Sequence, residues 1–390
     1  MSTLAARVVT DRAELDAIVP AWTALLEDGA NGAVFSTPEW QLTWLDSLPE
    51  MSPRYVVVSD EAGRMRALLP LARRMRRVGP FSLRALELGG EAVAGGAHLG
   101  LVVRPVDASD AWSAAAPLVQ SCAADADLIR FAEMDASDAA AVLAVASGRS
   151  RWSACHPHDD VAPRMPLPPR GTDVLDVLRS SRRTRLGYYE RHFAASHPSG
   201  TIVLNEQRMP LDAALDVLGT LHAMRWRHRG ESGVLANPEL TAFARRFARL
   251  AHDRGWLRLY QTFVEDRVVA TLLTLHWRQV ASTWLLGWNP EYAKWNVSEL
   301  LFLHSMRVAT QEGLRTYDFV RGNEQYKFRF PVEAPVLQSR QWTVTTRGRV
   351  AAETSRMGER VLALARRWRT RAARVAQRVR RVRNRDAARA

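Results

Sequence analysis

Residues 282–330 constrain the fold more than any other stretch. Ser282–Trp288 is rich in aromatic and aliphatic residues and reads as a strand. Asn289–Asn296 follows as a polar loop. Asn296 or Ser298 would cap a helix over Glu299–Glu312, which Gly313 ends. Thr316–Val320 is the next strand, and Arg321-Gly-Asn-Glu-Gln-Tyr-Lys-Phe-Arg-Phe330 places charge directly behind it. A strand feeding a helix through a short loop leaves backbone N–H groups at the helix N-terminus, which suits a phosphate. Charge placed just after a strand sits at the carboxyl edge of the sheet, where α/β sheets hold ligands.

The rest of the chain divides into four stretches. Residues 1–155 read as a first α+β unit. It has helices at Arg12–Leu26 and from Pro38, a hairpin across Asp60–Gly63, and strands at Leu83–Leu88 and His98–Val103. A helix, the strand Leu128–Met134, a second helix and a last strand near Trp152–His158 complete it. Residues 156–171 hold five prolines (157, 163, 166, 168 and 169) and read as a linker or extended crossover. Residues 172–345 repeat the order: helices, a hairpin across Glu265–Arg267, then strand, helix, strand, with Gln341–Thr345 expected to close the sheet. Residues 346–390 are an arginine-rich tail, in which Met357, Val361, Leu364, Trp368, Ala372 and Val375 form one apolar helical stripe.

Charge is concentrated in that tail. The chain carries +13, and residues 356–390 hold thirteen arginines against Glu359 and Asp386, or +11. The remainder is +2 (13 − 11), so the body is nearly neutral. Lys294 and Lys327 are the only lysines, and both fall in or beside the charged segment. Met1–Val9 has no long apolar run and no stretch has the length of a membrane span. With only Cys122 and Cys155, a disulfide scaffold is excluded and a cytoplasmic setting is expected. The basic amphipathic tail is expected to meet an anionic membrane surface peripherally, at the inner membrane, or to bind RNA; packing on the body is the alternative.

Three motifs carry a resemblance. These are Phe35-Ser-Thr-Pro-Glu-Trp40, Leu178-Arg-Ser-Ser-Arg-Arg-Thr-Arg185 and Gly313–Phe330 with its Tyr-Asp-Phe, Arg-Gly and Tyr-Lys-x-x-Phe. Together they resemble the GNAT acetyltransferase-like family associated with cellulose and exopolysaccharide biosynthesis, related to Fem-type peptidyltransferases. The resemblance implies an α+β fold of tandem GNAT-like units with mixed sheets flanked by helices. It also implies transfer of an acyl group from acyl-CoA, acetyl-CoA first among donors, to an amine or hydroxyl of a glycan or lipid-linked precursor. Fem-type relatives use aminoacyl-tRNA instead, and a non-catalytic scaffold of a polysaccharide synthase is a further alternative. Many GNAT enzymes carry Q/R-x-x-G-x-G/A before the central helix; here Glu291–Ser298 has no glycine.

Candidate roles follow from position. Asp318 and Glu324 bracket Arg321, so one could take the acceptor proton while Arg321 or Lys327 meets negative charge. The alternative is an Asp318–Arg321–Lys327 network pinning the loop. Tyr326 is the candidate acid toward a leaving thiolate, as in other GNAT enzymes. Trp288, Lys294, Asn296, Val297 and Ser298 are the candidate cofactor-binding residues, with phosphates near 294–298. His222 and Arg225, on one helix, are candidates to face an acidic acceptor along with Arg321. His156-Pro-His-Asp-Asp160 looks metal-like, but no further Cys/His set completes four ligands, and no metal is expected.

Overall fold

The computed structural model describes residues 4–48, 50–90, 95–147, 152–204 and 208–357. The tail expectations from 358 onward lie outside these residues. The first half runs β1 (Ala5–Val9), α1 (Arg12–Glu27), α2 (Pro38–Ser47), β2 (Ser52–Pro53), β3 (Tyr55–Ser59), β4 (Met65–Leu69), β5 (Leu71–Val78) and β6 (Phe81–Leu88). It continues with β7 (Val102–Val103), α3 (Ala108–Cys122), β8 (Leu128–Met134), α4 (Ala136–Ser147), β9 (Ser153–Val161) and β10 (Arg164–Pro166). The second half runs α5 (Ser180–Ser196), β11 (Thr201–Leu204), α6 (Leu211–His228), α7 (Pro238–Asp253), β12 (Leu257–Val264), β13 (Arg267–Trp277) and β14 (Val280–Trp288). α8 (Val297–Gln311), β15 (Thr316–Asp318) and β16 (Val336–Thr343) follow, and a helix spans residues 346–357.

Three sheets result, in the orders β1-β3-β4-β7, β2-β5-β6-β8-β16-β9 and β10-β15-β14-β13-β12-β11. Helices flank the mixed sheets, as expected for tandem α+β units. The local signals that fixed the elements are physical ones. Thr37 caps α2 by accepting from the Trp40 N–H, with Pro38 in the first turn, and both hairpins form where the turn residues predict them.

Two expectations are corrected. Within the expected linker 156–171, residues 156–161 belong to the strand β9 and 164–166 form the strand β10. Their prolines survive because each strand lies at the edge of its sheet, where a missing N–H breaks no ladder. The strand β16 does not close the second sheet; it lies between β8 and β9 in the first unit's sheet. β10 reaches the other way and pairs with β15, Arg164 opposite Asp318. The chain thus exchanges strands between its halves, and the two sheets are locked together.

A shared core follows. Trp40, fully buried, meets Phe243, Phe247 and Trp284 of the second half at centroid distances of 4.9, 4.7 and 5.3 Å, edge to face. Trp22, Trp44 and Phe131 bury the first unit's interior, and Leu301, Met306, Tyr317 and Phe330 that of the second.

Candidate active site

The site begins where two parallel strands part. β14 pairs with β15 only over Val280–Ser282 against Thr316–Asp318. Beyond that point β14 continues to Trp288, whereas the chain after Asp318 turns away. Between them lies a cavity of about 710 Å³, lined by residues 283–286 on one side and 319–321, Glu324, Tyr326 and Lys327 on the other. α6 forms a third wall. Its buried stripe of Leu215, Leu218, Leu221, His222 and Arg225 faces the sheet, so a histidine and an arginine stand where apolar residues would complete the pattern. The helix can lie this close because residue 287 is glycine: a Cβ there would sit 2.5 Å from the His222 amide nitrogen. β14 is also bulged. Its register with β13 shifts so that Trp284 is the extra residue, between Thr283 and Leu285 of the cavity wall.

The opposite wall is a strained turn held by charge. Val320 has φ 56°, which a β-branched residue adopts only at a cost of order 1–3 kcal/mol. Asp318 holds one side of it, accepting the Val320 N–H at 2.6 Å. Lys327 holds the other, donating to the Val320 and Arg321 carbonyls at 3.3 and 2.6 Å, with Nζ 2.9 Å from Glu324 Oε2. Gly322, at φ 117°, leaves room for that ion pair: a Cβ would lie 2.4 Å from Glu324 Oε2.

The electrostatics divide the cavity's groups into distinct states. Burial raises the Glu324 carboxyl, but the Lys327 charge outweighs it and holds the group below the usual carboxylate range, ionised at neutral pH. Burial pushes the His222 imidazole down to about 4, helped by Arg225, so it is neutral. Its Nε2 accepts from Trp226 Nε1–H at 2.8 Å. The proton therefore rests on Nδ1, which is buried and has no partner among the described residues. Arg225 is buried, donates to the Leu286 carbonyl at 3.4 Å and lies over the Trp226 ring. Among the described residues no carboxylate lies within ion-pair distance of it. Burial lifts the Tyr326 phenol above its ordinary value; its ring stacks on Phe302 at 5.2 Å.

His222, Arg225, Arg321, Glu324, Tyr326 and Lys327 are thus brought together. Asp318 is not among them. It is enclosed, with Oδ2 3.3 Å from His98 Nε2 and 3.1 Å from Arg164 Nε, so it joins the two units and does not line the cavity. The expected Asp318–Arg321 pairing does not form either; Arg321 reaches Glu133 of β8 at 3.1 Å. His98, Arg164 and Glu133 went unread because their partners lie far away in the sequence; the strand exchange alone juxtaposes them.

The candidate cofactor residues lie at and beyond the end of β14, outside the cavity lining. Trp288 ends that strand, edge to face with His228 at 6.0 Å. Residues 290–295 form a 3₁₀ turn capped by Asn289, and Lys294 is exposed, 4.1 Å over the Trp295 ring. Asn296 adopts the left-handed conformation (φ 54°) and opens α8 without a side-chain cap, leaving the Val297 and Ser298 amides in its first turn. Glu299 sits between Arg182, 2.7 Å away, and Arg329, so two cations oppose one anion there. The middle motif's Arg182 is therefore a buried partner of this helix end. Among the described residues no group of His, Cys, Asp or Glu is arranged to hold a metal, and no helix is long and apolar enough to cross a membrane.

The domain that builds this site is that of a GNAT-like acyltransferase. Residues 180–328, which build this site, match the family model described as "Acetyltransferase (GNAT) domain". The chain is similar in structure to FemX, with 10% identity, a TM-score of 0.57, and 83% of this chain and 95% of that one covered. It is similar also to L-PGS from Bacillus licheniformis, with 12% identity, a TM-score of 0.51, and 90% and 97% covered. A conserved protein of unknown function from Bacteroides thetaiotaomicron shares 11% identity and a TM-score of 0.50 over 87% of this chain and all of that one. At such identities the likeness speaks for the fold alone. By sequence the chain matches no curated protein.

Proposed function

We propose that the chain moves an acyl group from acyl-CoA, acetyl-CoA first, to an amine or hydroxyl of a polysaccharide or cell-envelope precursor. One observation carries this: an ionised carboxylate, Glu324, and a buried guanidinium, Arg225, with no carboxylate partner among the described residues, face one cavity where β14 and β15 part, inside the matched domain. The donor's thioester lies in that cavity against residues 283–286. Its phosphates reach the Val297 and Ser298 amides, with Lys294 alongside. Asn296 holds the left-handed conformation at the entry to α8 without a glycine.

The acceptor's nitrogen or oxygen attacks the thioester carbonyl, its proton passing to Glu324. Arg225 and the His222 Nδ1–H meet the charge that develops on the carbonyl oxygen. The C–S bond breaks, Tyr326, kept protonated by burial, donates a hydrogen bond to the departing thiolate, and the proton held on Glu324 passes to the sulfur, so that CoA leaves as the thiol and Glu324 is ionised again. Lys327 acts by holding Glu324 and the Val320 turn; Arg321 borders the acceptor's path. The precursor class rests on the resemblance of the Gly313–Phe330 motif.

Equilibrium binding of acetyl-CoA tests this. Wild type should bind, and Arg225→Gln should bind at least tenfold more weakly. Absence of binding by acetyl-CoA and longer acyl-CoAs alike would move the assignment to an aminoacyl-tRNA donor or a non-catalytic scaffold.

A further inference from the structure

The cavity wall at residues 319–322 takes its support from the first half of the chain. The Phe319 N–H donates to the Pro163 carbonyl at 2.9 Å and the Gly322 N–H to the Val161 carbonyl at 2.8 Å, so the β9–β10 segment grips the turn on both sides. Between them, the Val320 N–H goes to Asp318 Oδ1. The other oxygen of that carboxylate meets His98 Nε2 at 3.3 Å and Arg164 Nε at 3.1 Å. His98 is held in turn through Nδ1, 2.9 Å from Asp135 Oδ1 just before α4.

Backbone strain gathers at the same point. His98, Glu133 and Val320 have φ 55°, 58° and 56°. Glu265 and Arg278 share that conformation but sit in hairpin turns, where it is ordinary. The other three meet at the joint between the units. The Glu133 carbonyl accepts the Leu99 N–H at 2.9 Å, and His98 and Val320 contact the two oxygens of Asp318. Left-handed backbone at such residues persists only where the surroundings over-determine it, and it gathers at functional sites.

The path continues to the reacting groups. Lys327 Nζ donates to the Val320 carbonyl at 3.3 Å and lies 2.9 Å from Glu324 Oε2. A line of contacts therefore runs from His98 through Asp318, Val320 and Lys327 to Glu324. The donor's contacts, on β14 and at the start of α8, have no place in it.

We propose that Asp318, held by His98 and Arg164, is a positioning residue for the transfer step, and that the first unit thereby sets the shape of the active cavity. Without the Asp318 contact the Val320 turn relaxes towards ordinary backbone and carries Lys327, and with it Glu324, out of place. The link to chemistry rests on the acyl-transfer reading of Glu324; the dependence of the wall on His98 does not.

Hydrogen exchange of the full chain without ligand reads the wall directly, because the Val320 amide is itself the donor to Asp318. Asp318→Asn and His98→Gln should speed exchange of residues 319–322 about tenfold or more and leave β12 and β13 unchanged. In wild type the same segment, corrected for the intrinsic pH dependence of exchange, should also speed up as pH passes through about 8, where His98 loses its charge. His98→Gln should lack that step. The charged groups around His98 are Asp135, Asp318 and Arg164, with Lys327 beyond Asp318; Asp138, near Asp135 and raised to about 7 by burial, is common to both proteins. Unchanged exchange at 319–322 in both variants, or a step that persists in His98→Gln, would overturn the proposal. If Asp318→Asn loosens the whole chain, His98→Gln and its missing step decide. Turnover separates this from the acyl-transfer reading. With an acceptor that wild type uses, Asp318→Asn should lower kcat about tenfold or more and leave the KM for acetyl-CoA within about twofold. A loss in Glu324→Gln with none in Asp318→Asn overturns the positioning role alone; wild-type turnover by both overturns the role of Glu324 and the positioning with it.

Discussion

Raising the pH through His98's titration should weaken the joint between the two units. His98 is buried, with Nδ1 2.9 Å from Asp135 Oδ1 and Nε2 3.3 Å from Asp318 Oδ2; the charge of Arg164, which meets the same Asp318 oxygen, opposes it. Burial alone would lower its pKa, but the two carboxylates win and raise it from 6.5 to about 8. A group whose pKa is higher in the folded state stabilises that state fully below its unfolded pKa, and loses the contribution as pH rises through the folded value. A rise from 6.5 to about 8 is worth about 2 kcal/mol, present below pH 6.5 and gone above pH 8. Asp135 and Asp318 stay ionised throughout, because His98 holds both below the usual range despite their burial. His222 and His276 are both shifted downward by burial, and whatever they contribute is common to wild type and His98→Gln. Urea unfolding between about pH 6 and pH 9 should therefore show wild type losing about 2 kcal/mol that His98→Gln does not lose. Parallel curves for the two proteins would refute the assignment.

Two other perturbations have definite outcomes. Glu324→Gln removes the proton acceptor and should lower turnover with an identified acceptor by about 100-fold or more; since Lys327 holds Glu324 below the usual carboxylate range, wild-type turnover should not fall through Glu324 within the range where ordinary glutamates titrate. Wild-type turnover by Glu324→Gln would remove Glu324 from the chemistry. Trp40→Ala empties the aromatic joint between α2, α7 and β14 and should cost about 3–5 kcal/mol by denaturant titration. A cost near zero would mean that the two halves do not share a core.

Much of this was legible because it is local. The order β14, polar turn, α8, β15 followed from residue type and spacing between Ser282 and Asp318, and the charge after β15 pointed to the sheet's edge. Six candidate residues from two distant segments, α6 and 321–327, share one cavity. What was not legible depends on long-range pairing. The prolines of 157–169 follow the same local rule in a linker and in an edge strand, and only the sheet order decides between them. β16 carries no mark of which sheet it joins. Asp318 read as catalytic because a carboxylate after a strand has the same sequence appearance whether it faces ligand or is sealed by His98 and Arg164. His222 left one trace: a histidine and an arginine completing an otherwise apolar helical stripe.

The central claim is that acyl donor and chemistry meet between β14 and the Val320 turn. Hydrogen–deuterium exchange with and without acetyl-CoA tests it most directly. Protection is expected in residues 283–286, 297–299 and 319–327, and should disappear in Arg225→Gln. Unchanged exchange in all three segments at saturating acetyl-CoA, or protection confined to other parts of the chain, would contradict the account.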